Sequence, residues 1–113
     1  MKNYSLLFLI VCSFLNADLI APQNGQDLTY IHILFEWGQE PDVISYNLQA
    51  SSHQSFDNII LDIEEATTTY IDTENFDWNG TYYWKVKPLY ANGIVGEWSD
   101  IFIFNIGEKQ FPE

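Results

Sequence analysis

The clearest pattern in this chain is carried by the stretch Thr81-Tyr82-Tyr83-Trp84-Lys85-Val86-Lys87-Pro88-Leu89-Tyr90. Tyr82, Trp84 and Val86 alternate in it with Tyr83, Lys85 and Lys87. Because successive side chains of a β-strand point to opposite faces of a sheet, this period of two predicts a half-buried strand. Turn-forming pairs, Asn79-Gly80 and Asn92-Gly93, flank the stretch and mark its two ends.

The same period recurs along most of the chain, and turn-forming residues separate the runs at intervals of about 8–12 residues, as expected for an antiparallel sandwich or barrel. In one run the apolar face consists of Ile44, Tyr46, Leu48 and Ala50, which predicts all four side chains in the core. No segment has the period of a helix of two turns or more. Strands are predicted over seven segments, 18–21, 31–37, 44–50, 58–63, 67–71, 81–90 and 98–106.

Composition and charge limit what the chain can bind. Its 113 residues include four lysines, no arginine and 16 acidic residues, for a formal net charge of −12. Nucleic-acid binding is not expected, because it requires several cations to displace phosphate counterions. The single cysteine provides neither a disulfide framework nor a zinc ligand set, and no cofactor is expected.

The N-terminus has the layout of a secretory signal peptide over residues 1–17. Lys2 precedes an apolar run from Leu6 to Leu15, and Ala17 then precedes the acidic Asp18. This run of ten residues, interrupted by Ser13, is too short for a membrane span, which needs about 20. We therefore expect cleavage after Ala17, a domain over 18–106, a polar tail over 107–113, and a secreted or periplasmic location.

Cys12 raises the alternative of a bacterial lipoprotein, in which a cysteine follows a small residue at the end of the apolar run. Val11 stands before Cys12 here, and valine is too bulky for that pattern. We therefore interpret Cys12 as an ordinary apolar residue of the signal peptide and do not expect lipidation.

Several motifs taken in order resemble the fibronectin type III domain, and in particular its bacterial exported form. Trp37 resembles the core tryptophan of the second strand, and Tyr46-x-Leu48-Gln49 resembles the third strand. Phe76-Asp77-Trp78-Asn79-Gly80-Thr81-Tyr82 is similar to the tyrosine corner, with Phe76 in place of the usual leucine, and Glu97-Trp98-Ser99 follows. Pro88 departs from the family pattern and is expected to end strand pairing early or to force a bulge.

The resemblance implies an all-β, immunoglobulin-like sandwich of seven antiparallel strands, with two sheets about 10 Å apart. It also implies a core in which aromatic side chains from both sheets converge. The structural core residues predicted in this way are Trp37, Tyr46, Leu48, Phe76, Tyr82, Trp84, Val86 and Phe104.

A search for catalytic groups finds none with a partner at a useful spacing. His32 falls on the outward face of a strand, and His53 falls in a polar turn. Catalysis needs a nucleophile, a base and an orienting group held together, so we expect no enzyme activity. The acidic segment 72–77 has the oxygen ligands that calcium prefers but lacks the spacing of an EF-hand loop, and we interpret it as a solvated loop.

The resemblance places the third, sixth and seventh strands in one sheet, whose outward face combines polar, cationic and apolar side chains. An apolar patch with flanking cations suits a protein surface or a neighbouring domain. In the alternative, the lysines pair with carboxylates, or a bulge near Trp98 turns the two isoleucines inward. The candidate interaction residues are Asn47, Gln49, Tyr83, Lys85, Lys87, Ile101 and Ile103.

Domains of this family are usually non-catalytic, so the resemblance implies an exported module for protein or carbohydrate interaction, adhesion or spacing. Its partner would be a protein, a cell-surface glycan or a neighbouring domain of a longer chain. The alternative is an N-terminal accessory domain of a larger exported enzyme, such as an aryl sulfotransferase-like protein. This expectation rests on the end of the domain near Ile106, seven residues before Glu113.

Overall fold

The computed structural model describes residues 17–110 of the chain. The signal peptide predicted over 1–17 and the candidate lipidation site Cys12 therefore lie, apart from Ala17, outside the described residues. One short 3-10 turn covers Ala91–Gly93. The strands are β1 (Leu19–Ala21), β2 (Gln26–Leu28), β3 (Ile33–Trp37), β4 (Val43–Ser51), β5 (Ile59–Glu65), β6 (Thr69–Asp72), β7 (Gly80–Tyr90) and β8 (Phe102–Ile106).

The strands form two sheets that pack as a β-sandwich. One sheet has the order β1-β3-β6, and the other has the order β2-β8-β7-β4-β5. Neighbouring strands are antiparallel except for β2 and β8, which run parallel. Among the described residues, no helix is long and apolar enough to cross a membrane.

β1 lies within the predicted first segment, 18–21, and β2 is an eighth strand that was not predicted. β1 pairs with β3 and ends at Ala21, and the chain then turns so that β2 pairs with β8. Pro22 lacks an N–H for the ladder, which explains why β1 ends there. The backbone N–H of Gly25 donates to the carbonyl of Ile103 at 2.7 Å and fixes the entry into the second sheet.

The space between the sheets is filled mainly by aromatic rings. The Phe35 ring lies 5.0 Å from the Trp84 ring and 6.1 Å from the Phe104 ring, both in edge-to-face geometry. The Trp37 ring meets the Tyr46 ring edge-on at 5.7 Å. The eight residues predicted for the core all lie here with 8% exposure or less: Trp37, Tyr46, Leu48, Phe76, Tyr82, Trp84, Val86 and Phe104.

Ile44 was predicted in the core, and that prediction is wrong. Its side chain is 60% exposed, whereas Ser45 and Tyr46 are both buried. The β4–β7 register shifts between Val43 and Ser45, so the strict alternation is interrupted there. A bulge reverses which side chains face the core, and the sequence pattern at Ile44 carries no signal of it.

Pro88 does not end the pairing of β7 with β4, which continues through Tyr46 opposite Pro88 to Tyr90. The carbonyls of Val86 and Pro88 point away from β4 and accept the N–H groups of Ser99 and Gly96, both at 2.8 Å. In an antiparallel strand the N–H of a residue points to the same side as its carbonyl. The donor that Pro88 lacks would therefore face the segment after β7 and is not needed for the pairing with β4.

Candidate functional site

The outward face of the larger sheet brings the predicted interaction residues together in rows across the strands. On β7, Lys85 lies opposite Gln49 of β4, and Gln49 lies opposite Asp62 of β5. In the next row Lys87 lies opposite Asn47. Directly opposite residues in antiparallel strands are close enough for their side chains to interact, so each row is a continuous strip of polar surface.

The apolar part of this face lies at β8. Tyr83 of β7 is directly opposite Ile103, and both side chains are half-buried. Ile101 lies just before β8 and is 41% exposed. The last strand was predicted to begin at Trp98, and this is wrong: β8 begins at Phe102.

The carboxylates of β5 are bound by polar side chains of β4. The Asn47 amide donates to the Asp62 carboxylate at 2.8 Å and to the Ile63 carbonyl at 3.0 Å. The Gln49 amide donates to the other Asp62 oxygen at 3.3 Å. The Asp62 carboxylate therefore accepts hydrogen bonds from the side-chain amides of Asn47 and Gln49.

Both lysines of β7 lie against aromatic rings. The Lys85 ammonium is 4.1 Å from the centre of the Phe56 ring and 4.4 Å from the centre of a Trp98 ring, and the Lys87 ammonium is 4.5 Å from Trp98. Neither ammonium forms an ion pair with a carboxylate within the part of the chain that the structure describes. Burial lowers the pKa of Lys85, and repulsion from Lys87 lowers it further. We call Phe56, Lys85, Lys87 and Trp98 the aromatic–lysine cluster.

Phe56 and Trp98 were not among the predicted site residues, because each comes from a segment outside the strands. Phe56 has a φ of 61°, and its N–H donates to the His53 carbonyl at 3.0 Å, which folds the 52–58 turn back over the sheet. Trp98 precedes Ser99, whose buried hydroxyl accepts the Val86 N–H at 3.0 Å. A bulky aromatic residue within an otherwise polar turn is the one sequence signal that points to Phe56.

The residues considered for catalysis and for calcium binding lie outside the aromatic–lysine cluster. His32 and His53 are both exposed. One Asp72 oxygen accepts the N–H groups of Glu74 and Asn75 at 3.1 and 2.8 Å, and the other accepts the Asn75 amide at 2.7 Å, so this buried carboxylate caps its own loop. Among residues 17–110, no three histidine, cysteine or acidic side chains are placed to hold a metal ion.

Comparison with known proteins places this sandwich among solved structures. No family model matches the sequence, and no curated protein matches it. An Fn3-like protein from Clostridium thermocellum superposes with a TM-score of 0.58 and 21% identity, covering 78% of this chain and 92% of that one. The chain has a fibronectin type III-like fold.

Two further structures show how widely this fibronectin type III-like fold is used. A human fibronectin type III domain from the KIAA0970 protein superposes with a TM-score of 0.61 at 15% identity, covering 86% of this chain and 74% of that one. A β-1,2-glucanase from Parabacteroides distasonis matches at 0.58 and 15% identity over 82% of this chain. The match covers only 12% of the glucanase, so the likeness there is to one segment of a much longer chain.

Proposed function

We propose that this chain is an exported, non-catalytic binding module that uses the outward face of β4, β7 and β8 to bind a protein surface or a neighbouring domain. The observation that carries the proposal is the position of the two lysines. In a chain of net charge −12, Lys85 and Lys87 lie on aromatic rings of the aromatic–lysine cluster, and neither pairs with a carboxylate of residues 17–110.

The chemistry of this face suits an interface. Aromatic residues are enriched at protein interfaces, where the central patch is apolar and polar residues surround it. Here Tyr83 and Ile103 form an apolar pair beside Lys85, and the amides of Asn47 and Gln49 form a polar border. The lysine ammonium groups lie over the Phe56 and Trp98 rings and restrain them, so less side-chain entropy is lost when a partner binds.

The charge of the partner follows from the same residues. A partner carrying carboxylates beside an apolar group would satisfy Lys85 and Lys87 while covering Tyr83. Close contacts between the two lysines and carboxylates set the orientation of the partner, and the apolar contact contributes most of the affinity. We therefore propose an acidic protein surface as the partner.

A non-catalytic role is supported by the hydrogen bonds that the carboxylates Asp62 and Asp72 already accept. Asp62 is bonded to Asn47 and Gln49, and Asp72 caps its own loop, so neither carboxylate is free to act as a base. His32 and His53, the two imidazoles, are solvated on the surface. A general base must be held within hydrogen-bond reach of the proton that it removes.

A second candidate is an accessory domain of a larger exported enzyme. It is favoured by the match to a segment that makes up 12% of a glucanase. The reading frame after codon 113 tests this candidate directly. A frame that continues into an enzyme domain supports it, and the neighbouring domain is then the first partner to test on the β4–β7–β8 face.

The binding proposal is tested by titrating the isotope-labelled domain with an acidic peptide that contains leucine and tryptophan, and separately with an uncharged oligosaccharide. We expect the peptide to shift the amide signals of β7 and β8 and the oligosaccharide to leave them unchanged. The variant Tyr83→Ser, Lys85→Glu, Ile103→Thr should abolish the shift. Leu34→Thr with Ile71→Thr, a change of exposed residues on the other sheet, is the matched control and should bind as the wild type. Equal binding by both folded variants contradicts the proposal.

A further inference from the structure

Three identical Asn-Gly pairs occur in the described chain, at 24–25, 79–80 and 92–93. Asn-Gly is the dipeptide in which an asparagine is converted most readily to aspartate and isoaspartate, because glycine leaves its own backbone nitrogen accessible. By sequence alone, the three pairs are equivalent. Their structural surroundings differ, and the difference distinguishes one pair from the other two.

In the first pair, both reacting groups are bound to β8. The Asn24 side-chain oxygen accepts the Ile103 N–H at 2.9 Å, and the Gly25 N–H donates to the Ile103 carbonyl at 2.7 Å. Attack of the Gly25 nitrogen on the Asn24 side chain would require both bonds to break. The chain would have to leave the edge of the larger sheet first.

In the second pair, Gly80 is the first residue of β7 and pairs with Ile106. The Asn79 N–H donates to the Gly107 carbonyl at 2.9 Å. The space beside Gly80 is filled by the Tyr82 phenol, since a Cβ built on Gly80 would lie 2.5 Å from the Tyr82 hydroxyl oxygen. The Asn79-Gly80 peptide is therefore confined by the pairing of β7 with β8, by the hydrogen bond to Gly107 and by the buried Tyr82 ring.

The third pair has no such restraint. Residues 91–95 are all exposed, and nothing lies within 4 Å of a Cβ built on Gly93. Within the part of the chain that the structure describes, the Asn92 side chain has no hydrogen-bond partner. Asn92 has φ 63° and ψ 28°, so ring closure requires rotation of its backbone, and an exposed turn opens at a far lower free energy than a sheet.

We propose that Asn92 is the site at which this protein deamidates in its folded state. The Gly93 backbone nitrogen attacks the Asn92 side-chain carbonyl carbon, and the new N–C bond closes a five-membered succinimide. The bond from that carbon to the side-chain nitrogen breaks, and the nitrogen leaves as ammonia with the proton of the Gly93 amide. Solvent water then opens the ring at either carbonyl, which gives aspartate or isoaspartate and adds one negative charge to the turn after β7.

The test is incubation of the folded protein at physiological temperature in mildly alkaline buffer, followed by peptide mapping for the one-dalton mass increase. We expect Asn92 to react at least about tenfold faster than Asn24 or Asn79, because those two must await local opening of a sheet. In urea the three rates should converge to within a few-fold, which shows that structure and not local sequence separates them.

Two variants complete the test. Asn92→Gln should remove the fast phase and leave the fold and the two slow sites unchanged. Tyr82→Ala, which empties the space beside Gly80, should accelerate Asn79 while Asn92 keeps its rate. Faster reaction of Asn24 or Asn79 than of Asn92 in the folded wild type overturns the proposal, and so do three equal rates before urea is added.

Discussion

The Tyr82 hydroxyl lies 3.1 Å from the backbone nitrogen of Asp77, which donates to it, and 3.5 Å from the Asp77 carbonyl, which it faces as a donor. Asp77 is five residues earlier in the chain, so this one side chain closes the loop that leads from β6 into β7. The Phe76 ring meets the Tyr82 ring edge-on at 4.9 Å and packs the loop against the core. This is the tyrosine corner that the resemblance implies.

Removing this hydroxyl should destabilise the fold. Tyr82→Phe leaves the Asp77 N–H without its acceptor in a partly buried place, and we expect a loss of about 1–2 kcal/mol in the free energy of unfolding. Denaturant unfolding measures it. Tyr83→Phe is the control, since the Tyr83 hydroxyl has no hydrogen bond within residues 17–110, and it should change stability by less than about 0.5 kcal/mol. Equal losses in the two variants would contradict the tyrosine corner.

Gly80 is required by the same corner. A Cβ at this position would lie 2.5 Å from the Tyr82 hydroxyl oxygen and 2.6 Å from a ring carbon. Gly80→Ala must therefore displace the phenol, and we expect a cost of about 1–3 kcal/mol.

Two comparisons isolate the steric cause at Gly80. Gly93→Ala, at a φ of +76° and with nothing within 4 Å, tests backbone strain alone and should cost about 1–2 kcal/mol. In a Tyr82→Ala background the cost of Gly80→Ala should nearly vanish, because residues in contact show non-additive changes. If Gly80→Ala destabilises the Tyr82→Ala variant as much as it does the wild type, the steric explanation is wrong.

Trp37 fills the centre of one end of the core. Trp37→Ala should reduce the free energy of unfolding by about 3–5 kcal/mol through the cavity that it leaves beside Tyr46. Trp37→Phe should cost less, since the indole nitrogen has no acceptor among the described residues. Trp98→Ala should cost less than Trp37→Ala, about 1–2 kcal/mol, because it removes the cation–π contacts of a half-buried side chain and leaves no cavity in the core. Thermal and denaturant unfolding of the three variants measure the order of their stability losses.

Glu40 should make the free energy of unfolding depend on pH. Burial raises the pKa of Glu40 above its ordinary value of 4.5, and repulsion from Asp18 raises it further. A carboxyl whose folded pKa is raised favours the fold while it is protonated, and that contribution is lost as the pH rises through the folded pKa. Glu40→Gln should therefore be more stable than the wild type at neutral pH, and the difference should disappear below pH 4.5.

The control for Glu40 is Glu108→Gln, a change of an exposed carboxylate in the tail. As a surface substitution it should change the free energy of unfolding by less than about 0.5 kcal/mol. The Tyr46 hydroxyl accepts the Glu40 backbone N–H at 3.0 Å, and this bond is retained in Glu40→Gln. A Glu40→Gln variant less stable than the wild type at neutral pH would contradict the sign of the shift.

Export should produce a mature chain that begins at Asp18. Ala17 is the small residue at the end of the apolar run, and signal peptides are cleaved after such a residue. Expression with the natural N-terminus, followed by N-terminal sequencing and intact-mass measurement of the exported protein, checks the position. A diacylated chain starting at Cys12 would contradict it.

The alternation of apolar and polar residues was sufficient to predict the core half of most strands. Trp84 and Val86 are buried, and Lys85 and Lys87 face outward, as the period of two requires. The reason is that a buried apolar face contributes to stability at each residue of a strand, so a shift of register by one would expose all of it.

The exposure of Ile44 and the existence of β2 depend on the tertiary structure. The bulge that exposes Ile44 is set by how β4 pairs with β7, and pairing with a distant strand leaves no mark on the sequence around the bulge. Pro22 marks the end of β1, but only the packing of the two sheets decides that the following residues join β8.

The outer face shows the same division. The sequence alone placed Tyr83, Lys85 and Lys87 on one side of a strand, because that depends only on local geometry. It did not predict Phe56 and Trp98, since both are brought to Lys85 by segments between the strands, at 4.1 and 4.4 Å. The path of such a segment is decided by hydrogen bonds to a neighbouring strand, such as that of the Val86 N–H to the Ser99 hydroxyl, and these bonds leave no pattern in the sequence.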